Sequence, residues 1–168
     1  GELNGRPALA CVTRMKKAAG GRVVTLEGLP AGLLKTLGRA FIDKGAVQCG
    51  FCTPGFLMRT KILLQENPAP SRGQIPEALK LNLCRCTGYV KIVEAIEHAA
   101  RLLAGAEEAA SSPAPGIGGR QDKYEAWETA VGRRPFVADL RIPGMVFGAL
   151  RFSDHARAVV KRIDAEKA

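Results

Sequence analysis

Apolar positions recur at helical spacing through the middle of the chain. Leu33, Leu34, Leu37 and Phe41 share one face, and Phe56, Leu57, Thr60, Leu63 and Leu64 share a second that Asn67-Pro68 closes. Ser71 can cap a third, shorter helix carrying Ile75, Leu79 and Leu83. The clearest stripe is Tyr89, Ile92, Val93, Ile96, Ala99, Ala100 and Leu103, with Lys91, Glu94 and Glu97 outside it and Gly105 after it. Four short helices with short connections predict a compact four-helix bundle over 29–104, so the fold class expected is mainly α.

The flanks follow other patterns. Residues 1–28 read as β-rich: Asn4-Gly5 is a hairpin signal, followed by Arg6 to Val12 and later by Val23 to Leu26. A hairpin turn needs a strand before it and three residues precede this one, so the segment reads as the incomplete end of a domain. Residues 105–131 open on GAEEAASSPAPGIGGRQD, rich in Ala, Ser, Pro and Gly and without periodicity, and predict a linker anchored at its far end by Tyr124 and Trp127. Within 132–168, Phe136-Val137, Met145 to Phe152 and Val159 to Ile163 predict strands at the start of a further, incomplete α/β domain.

Composition narrows the class. With 168 residues, 46% hydrophobic and 24% charged, the chain suits a folded protein and excludes collagen, a long coiled coil and wholesale disorder. Neither a long apolar run nor a signal-peptide core is visible, so a cytoplasmic location is expected and no membrane span. The formal charge is +9, yet Arg14, Lys16, Lys17, Arg59, Lys61, Arg133 and Arg134 are scattered and aromatics make up 5%. That charge reads as a solvated or docking surface, with no nucleic acid expected as partner.

The chemistry lies in the cysteines. Cys49-x2-Cys52 is followed after 31 residues by Cys84-x-Cys86, while Cys11 stands alone. Each pair precedes a helical stripe, and Pro54 suits a first helical turn. Two helix N-termini converging on one site would stabilise an anion such as a thiolate-bound cluster. Gly50, Gly55 and Gly88 would let backbone amides approach it. Four thiolates divided two and two meet the needs of a [2Fe–2S] cluster. Zinc also takes four thiolates, though a Cys-x-Cys loop is less usual there, and disulfides or inert thiols are the bland readings. A zinc-stabilised nucleic-acid-binding module and a purely structural helical bundle therefore stay open beside an iron–sulfur protein. Cys11 alone reads as a strand thiol, Gln48 as a polar residue beside a turn, His98 as a partly exposed structural residue and His155 as a loop residue. Gly116 to Gly119 lacks a full dinucleotide fingerprint.

Gln48-Cys49-Gly50-Phe51-Cys52-Thr53-Pro54-Gly55 together with Cys84-Arg85-Cys86-Thr87-Gly88-Tyr89 closely resembles the helical [2Fe–2S] domain of molybdenum hydroxylases, the xanthine oxidase family. The resemblance covers about residues 1–104. Arg6 to Lys16 is similar to the end of that family's plant-type ferredoxin domain, which implies that Cys11 is the last of four ligands to a second cluster. Gly132 to Met145, Gly148 to Phe152 and Ser153-Asp154-His155 resemble the opening of the molybdenum-binding part, in the fused arrangement of bacterial xanthine dehydrogenases and aldehyde oxidoreductases. The resemblance implies a cluster held by Cys49, Cys52, Cys84 and Cys86, with Gln48 and the Cys86 region against a molybdopterin cofactor bound mainly by a neighbouring domain. It also implies hydroxylation at molybdenum with water as oxygen source, and electrons passed singly through both clusters to FAD or an external acceptor. No catalytic residue is expected in this chain. Partners implied are a molybdenum-binding domain or subunit, the remainder of the ferredoxin domain, an FAD subunit and further copies in an oligomer. Xanthine or another purine leads as substrate, with aldehydes and other N-heterocycles as rivals.

Overall fold

In the computed structural model the described residues are 1–106, 116–119 and 121–166. The chain divides into two units, Gly1–Pro135 and Phe136–Ala168.

The first unit opens on a small antiparallel sheet. β1 (Glu2–Leu3) pairs with β2 (Arg6–Pro7), Glu2 opposite Pro7 and Leu3 opposite Arg6, and with β3 (Val23–Val24) on its other edge. Asn4 and Gly5 both have positive φ, 52° and 78°, as a two-residue hairpin with the strands' own twist requires. The strand expected over Arg6 to Val12 stops at Pro7. Ala8 N–H donates to the Gly1 carbonyl, and Thr13 Oγ1 folds back onto the Leu9 carbonyl at 2.7 Å. A short helix, α1 (Met15–Ala18), returns the chain to β3. Buried Glu2 ties the sheet to the helices through an ion pair with Lys61.

The helices follow. α2 (Ala31–Asp43), α3 (Thr53–Glu66), α4 (Gln74–Ala78) and α5 (Val90–Leu103) occupy the four stretches the periodicity picks out. Leu37, Phe41, Phe56, Ile75, Ile92 and Ile96 are at most 1% exposed and form the centre of one apolar core. With α4 only five residues long, three long helices carry the layers and α4 fills a side of α5. Ser71 acts from two residues before the helix cap, its carbonyl and hydroxyl accepting from the Gln74 amide. Leu83 is not on this helix: the chain turns after Leu79, and Leu83 is exposed where Cys84 is buried. Gly105 ends α5 as expected.

The stretch read as a linker is of two kinds. Residues 107–115 and 120 lie outside the described residues. Beyond them α6 (Ala126–Ala130) packs on α2 and α3, with Ala126, Thr129, Ala130 and Val131 buried. Trp127 reaches the core as an anchor, whereas Tyr124 is exposed.

The second unit departs from expectation. Residues 136–166 form a 3-10 turn over Val137–Asp139 and then irregular chain, with none of the three expected strands. Strand formation needs a ladder partner. The β-prone side chains Val146, Phe147, Leu150, Phe152, Val159 and Ile163 are instead exposed. Local contacts shape this segment: Arg151 pairs with Asp154, Arg162 with Asp164, and the Arg141 guanidinium lies over the Phe147 ring.

Candidate metal centre

Cys52 is the residue that caps α3, with Pro54 in the first turn, so Cys49–Cys52 forms the approach to one helix. Cys84–Tyr89 forms the approach to another, α5. The two approaches meet. Cys86 Sγ lies 3.5 Å from Cys49 Sγ, and the Cys52 and Cys84 thiols are close enough that each perturbs the other. The pairs thus cross between loops: the outer thiols of both motifs are exposed together, while Cys84 is buried and Cys52 half-buried.

The pairing bears on what the site can hold. Two thiolates about 2.3 Å from one tetrahedral metal stand about 3.7 Å apart, close to the Cys49–Cys86 spacing. Among the described residues no three His, Cys, Asp or Glu side chains gather around one ion. Two sulfurs to each of two metal positions is the donor set a [2Fe–2S] cluster requires.

Electrostatics show what four thiolates at this site would cost. Burial, then the hydrogen bond and charge of Cys84 and the charge of Cys49, push the Cys52 thiol up to about 12. The Cys49 hydrogen bond raises Cys86. Burial would raise Cys84 too, but the Thr87 hydroxyl and backbone N–H, with the Cys86 amide, outweigh it and hold this thiol below its ordinary value. Four thiolates crowded here need metal charge to offset their repulsion.

The second loop carries its own bracing. Thr87 Oγ1 sits 3.1 Å from Cys84 Sγ, and Thr87 N–H donates to the same sulfur at 3.4 Å. Cys84 N–H donates to the Tyr89 hydroxyl, which donates onward to the Asn82 carbonyl. Tyr89 has φ 68°, left-handed and costly for a side chain of this size. Its hydroxyl bonds and its edge against the Phe56 ring, 6.2 Å between centroids, hold it there. Sequence reasoning placed Tyr89 on the helical stripe and gave Thr87 and Asn82 no part. A Thr one residue after a cysteine, followed by Gly, was the available signal. Tyr89→Phe is expected to lower stability by about 1–3 kcal/mol, since the buried Cys84 amide loses its acceptor. Urea unfolding of iron-free protein measures it.

The remaining predicted residues lie as follows. Gln48 is exposed beside Cys49. Gly50 is buried with φ 85°, but its missing side chain makes room for Thr129 on α6. Nothing crowds the Cβ position of Gly88 (φ 65°), and at Gly55 that position meets only Asn82 Nδ2, at 3.5 Å. Cys11 is exposed in the turn at 10–12, outside both thiol pairs. His98 is structural, its Nε2 3.7 Å from buried Asp43 Oδ2.

Residues 25–97 match the family model described as a [2Fe-2S] binding domain. The small FeS subunit of nicotinate dehydrogenase from Eubacterium barkeri is 43% identical over 98 residues, 58% of this chain and 62% of that subunit. The aldehyde oxidoreductase structure from Desulfovibrio desulfuricans superposes with TM-score 0.71 at 38% identity, over 82% of this chain and 16% of the other. Quinoline 2-oxidoreductase from Pseudomonas putida gives TM-score 0.55 at 42% identity, covering 62% of this chain and 67% of its counterpart. A helical domain with crossed thiol pairs at two helix entrances is the class these observations define. The chain belongs to the [2Fe–2S]-binding family found in the iron–sulfur parts of molybdenum hydroxylases, the xanthine oxidase family. It spans 62% of the length of the nicotinate dehydrogenase subunit.

Proposed function

We propose that Cys49, Cys52, Cys84 and Cys86 hold one [2Fe–2S] cluster that serves as an electron relay in a molybdenum-dependent hydroxylase. The observation that carries this reading is the crossed pairing, Cys49 with Cys86 and Cys52 with Cys84, at the entrances to α3 and α5. A bound cluster supplies one-electron redox chemistry. The chain's part is to fix the four sulfurs, donate the Thr87 N–H to Cys84, and keep Cys52 and Cys84 out of bulk water. The exposed pair faces outward beside exposed Gln48, which we assign as a hydrogen-bonding partner for molybdopterin, with the Cys86 loop beside it. Cys11 serves a second cluster together with ligands supplied from elsewhere. Domain limits of 1–28, 29–104, 105–131 and 132–168 go with this reading, the last segment opening the molybdenum-binding part.

The partner is that molybdenum-binding domain or subunit, and FAD or an external acceptor takes the electrons in the cytoplasm. Among the described residues no helix is long and apolar enough to cross a membrane. For substrate we favour xanthine or another purine, with other N-heterocycles beside it, because the relatives include a probable xanthine dehydrogenase subunit, a nicotinate dehydrogenase subunit and quinoline 2-oxidoreductase. Aldehydes are the second reading, favoured by the aldehyde oxidoreductase structure matching 82% of this chain.

The test is anaerobic purification. Red-brown protein with iron and acid-labile sulfide, giving a rhombic EPR signal after dithionite, supports the relay. Colourless protein carrying one zinc, or oxidised thiol pairs without iron, overturns it.

A further inference from the structure

We infer that residues 121–132 clamp the Cys49–Cys52 turn in its ligating shape, with Thr129 as the positioning residue. The word ligating rests on the cluster reading above; the clamp itself rests on contacts within this chain. Three anchors fix the segment. Arg39 joins Asp122 at 2.7 Å and buried Asp43 at 2.8 Å, and the Trp127 ring covers Gly38, where a Cβ would come within 2.7 Å of it. At the far end, a Cβ on Gly132 would stand 3.0 Å from the Pro54 ring.

Between these anchors α6 meets the thiol turn. Thr129 is 3% exposed, and its Cγ2 lies 2.2 Å from where a Cβ on Gly50 would stand, its carbonyl oxygen 2.9 Å away. Only glycine serves at Gly50 for two reasons, the φ of 85° and this approach of α6. The Thr129 hydroxyl is already engaged, donating to the Glu125 carbonyl at 2.7 Å and accepting from Lys123 Nζ at 3.3 Å. Those bonds fix the rotamer and turn the methyl group onto Gly50. The two thiol loops are therefore held differently. Cys84–Tyr89 is braced by its own hydrogen bonds, with Asn82 and the Phe56 ring beside it, whereas the backbone between Cys49 and Cys52 is pressed between α3 and a segment from far along the chain. Releasing that pressure lets Gly50 move, and with it the spacing of Cys49 from Cys86.

Two variants separate methyl from hydroxyl. Thr129→Ser keeps the hydrogen bonds and loses the methyl; Thr129→Val keeps a methyl and loses the hydroxyl. Hydrogen exchange by mass spectrometry on the full chain, iron-loaded and iron-free, reads the peptide covering 47–55 against the α5 peptides. Thr129→Ser is expected to raise exchange over 47–55 about tenfold in both states with α5 unchanged, and to change the g-values of the reduced loaded protein. Thr129→Val is expected to restore both readings. Wild-type exchange in both variants overturns the clamp, as does a rise that extends equally over α5, or a valine variant indistinguishable from the serine one. Should no variant and no wild-type protein take up iron, the cluster reading fails, and the iron-free exchange still decides the clamp.

Discussion

Cys84→Ser is expected to leave the chain with almost no iron. Cys84 is the least exposed of the four cysteine residues, 7% exposed, and it sits where the loop's bracing converges: Thr87 N–H and hydroxyl on its sulfur, the Tyr89 hydroxyl on its amide. A serine oxygen is smaller, harder and far less acidic, so it neither reaches the metal position nor gives up its proton readily. Its spatial partner Cys52 would lose the Cys84 charge and hydrogen bond, but burial, the largest cause raising its thiol, would remain. Since ligation contributes to folding free energy, the variant should also melt lower than loaded wild type and close to the iron-free protein. Iron and sulfide analysis with thermal unfolding of both forms checks this. Cys11→Ser provides the contrast, because Cys11 lies outside the pairs and its loss should leave this cluster's spectrum in place. A red-brown, fully loaded Cys84→Ser protein would sink the ligand assignment and leave the thiols a packing role.

The helices and thiols were legible in the sequence because both signals are local. Ile92, Val93, Ile96 and Ala99 repeat at helical spacing within a single turn-bounded stretch, and all are buried on α5. Cys49, Cys52, Cys84 and Cys86 sit in two short motifs, so their chemistry is written in spacing alone, although which sulfur meets which across the loops is not. What escaped was long-range or conditional. Thr129 and Gly50 are unremarkable singly, and their contact joins a short helix to a turn with no periodic signature. Tyr89 fits the helical stripe by count, yet its left-handed φ places it before the helix, where its hydroxyl serves Cys84. The runs Met145 to Phe152 and Val159 to Ile163 have strand-forming residues, but β-propensity expresses packing against neighbours, and among the described residues these runs pair with none.

Phe56→Ala should damage the fold and the thiol site together. Phe56 lies one turn into α3 from Cys52, is 1% exposed, and meets Tyr89 edge to face with rings 73° apart. Deleting the ring leaves a cavity in a fully packed core, a loss of about 3–5 kcal/mol, set against total stabilities of about 5–15 kcal/mol for domains. The cavity also opens beneath Tyr89, whose strained backbone then loses one of the contacts that hold it. Tyr89 can relax toward an ordinary conformation, and its hydroxyl leaves the Cys84 amide and Asn82 carbonyl. Phe56→Leu separates the two effects, since it refills most of the volume without restoring the ring edge. Denaturant unfolding should therefore show most of the stability recovered in the leucine variant, while Cys84 in iron-free protein labels with a thiol reagent faster than wild type in both. Equal labelling rates in all three proteins would mean that the ring packs the core without steadying the loop, and the bracing of Cys84 would then rest on its hydrogen bonds with Thr87 and Tyr89.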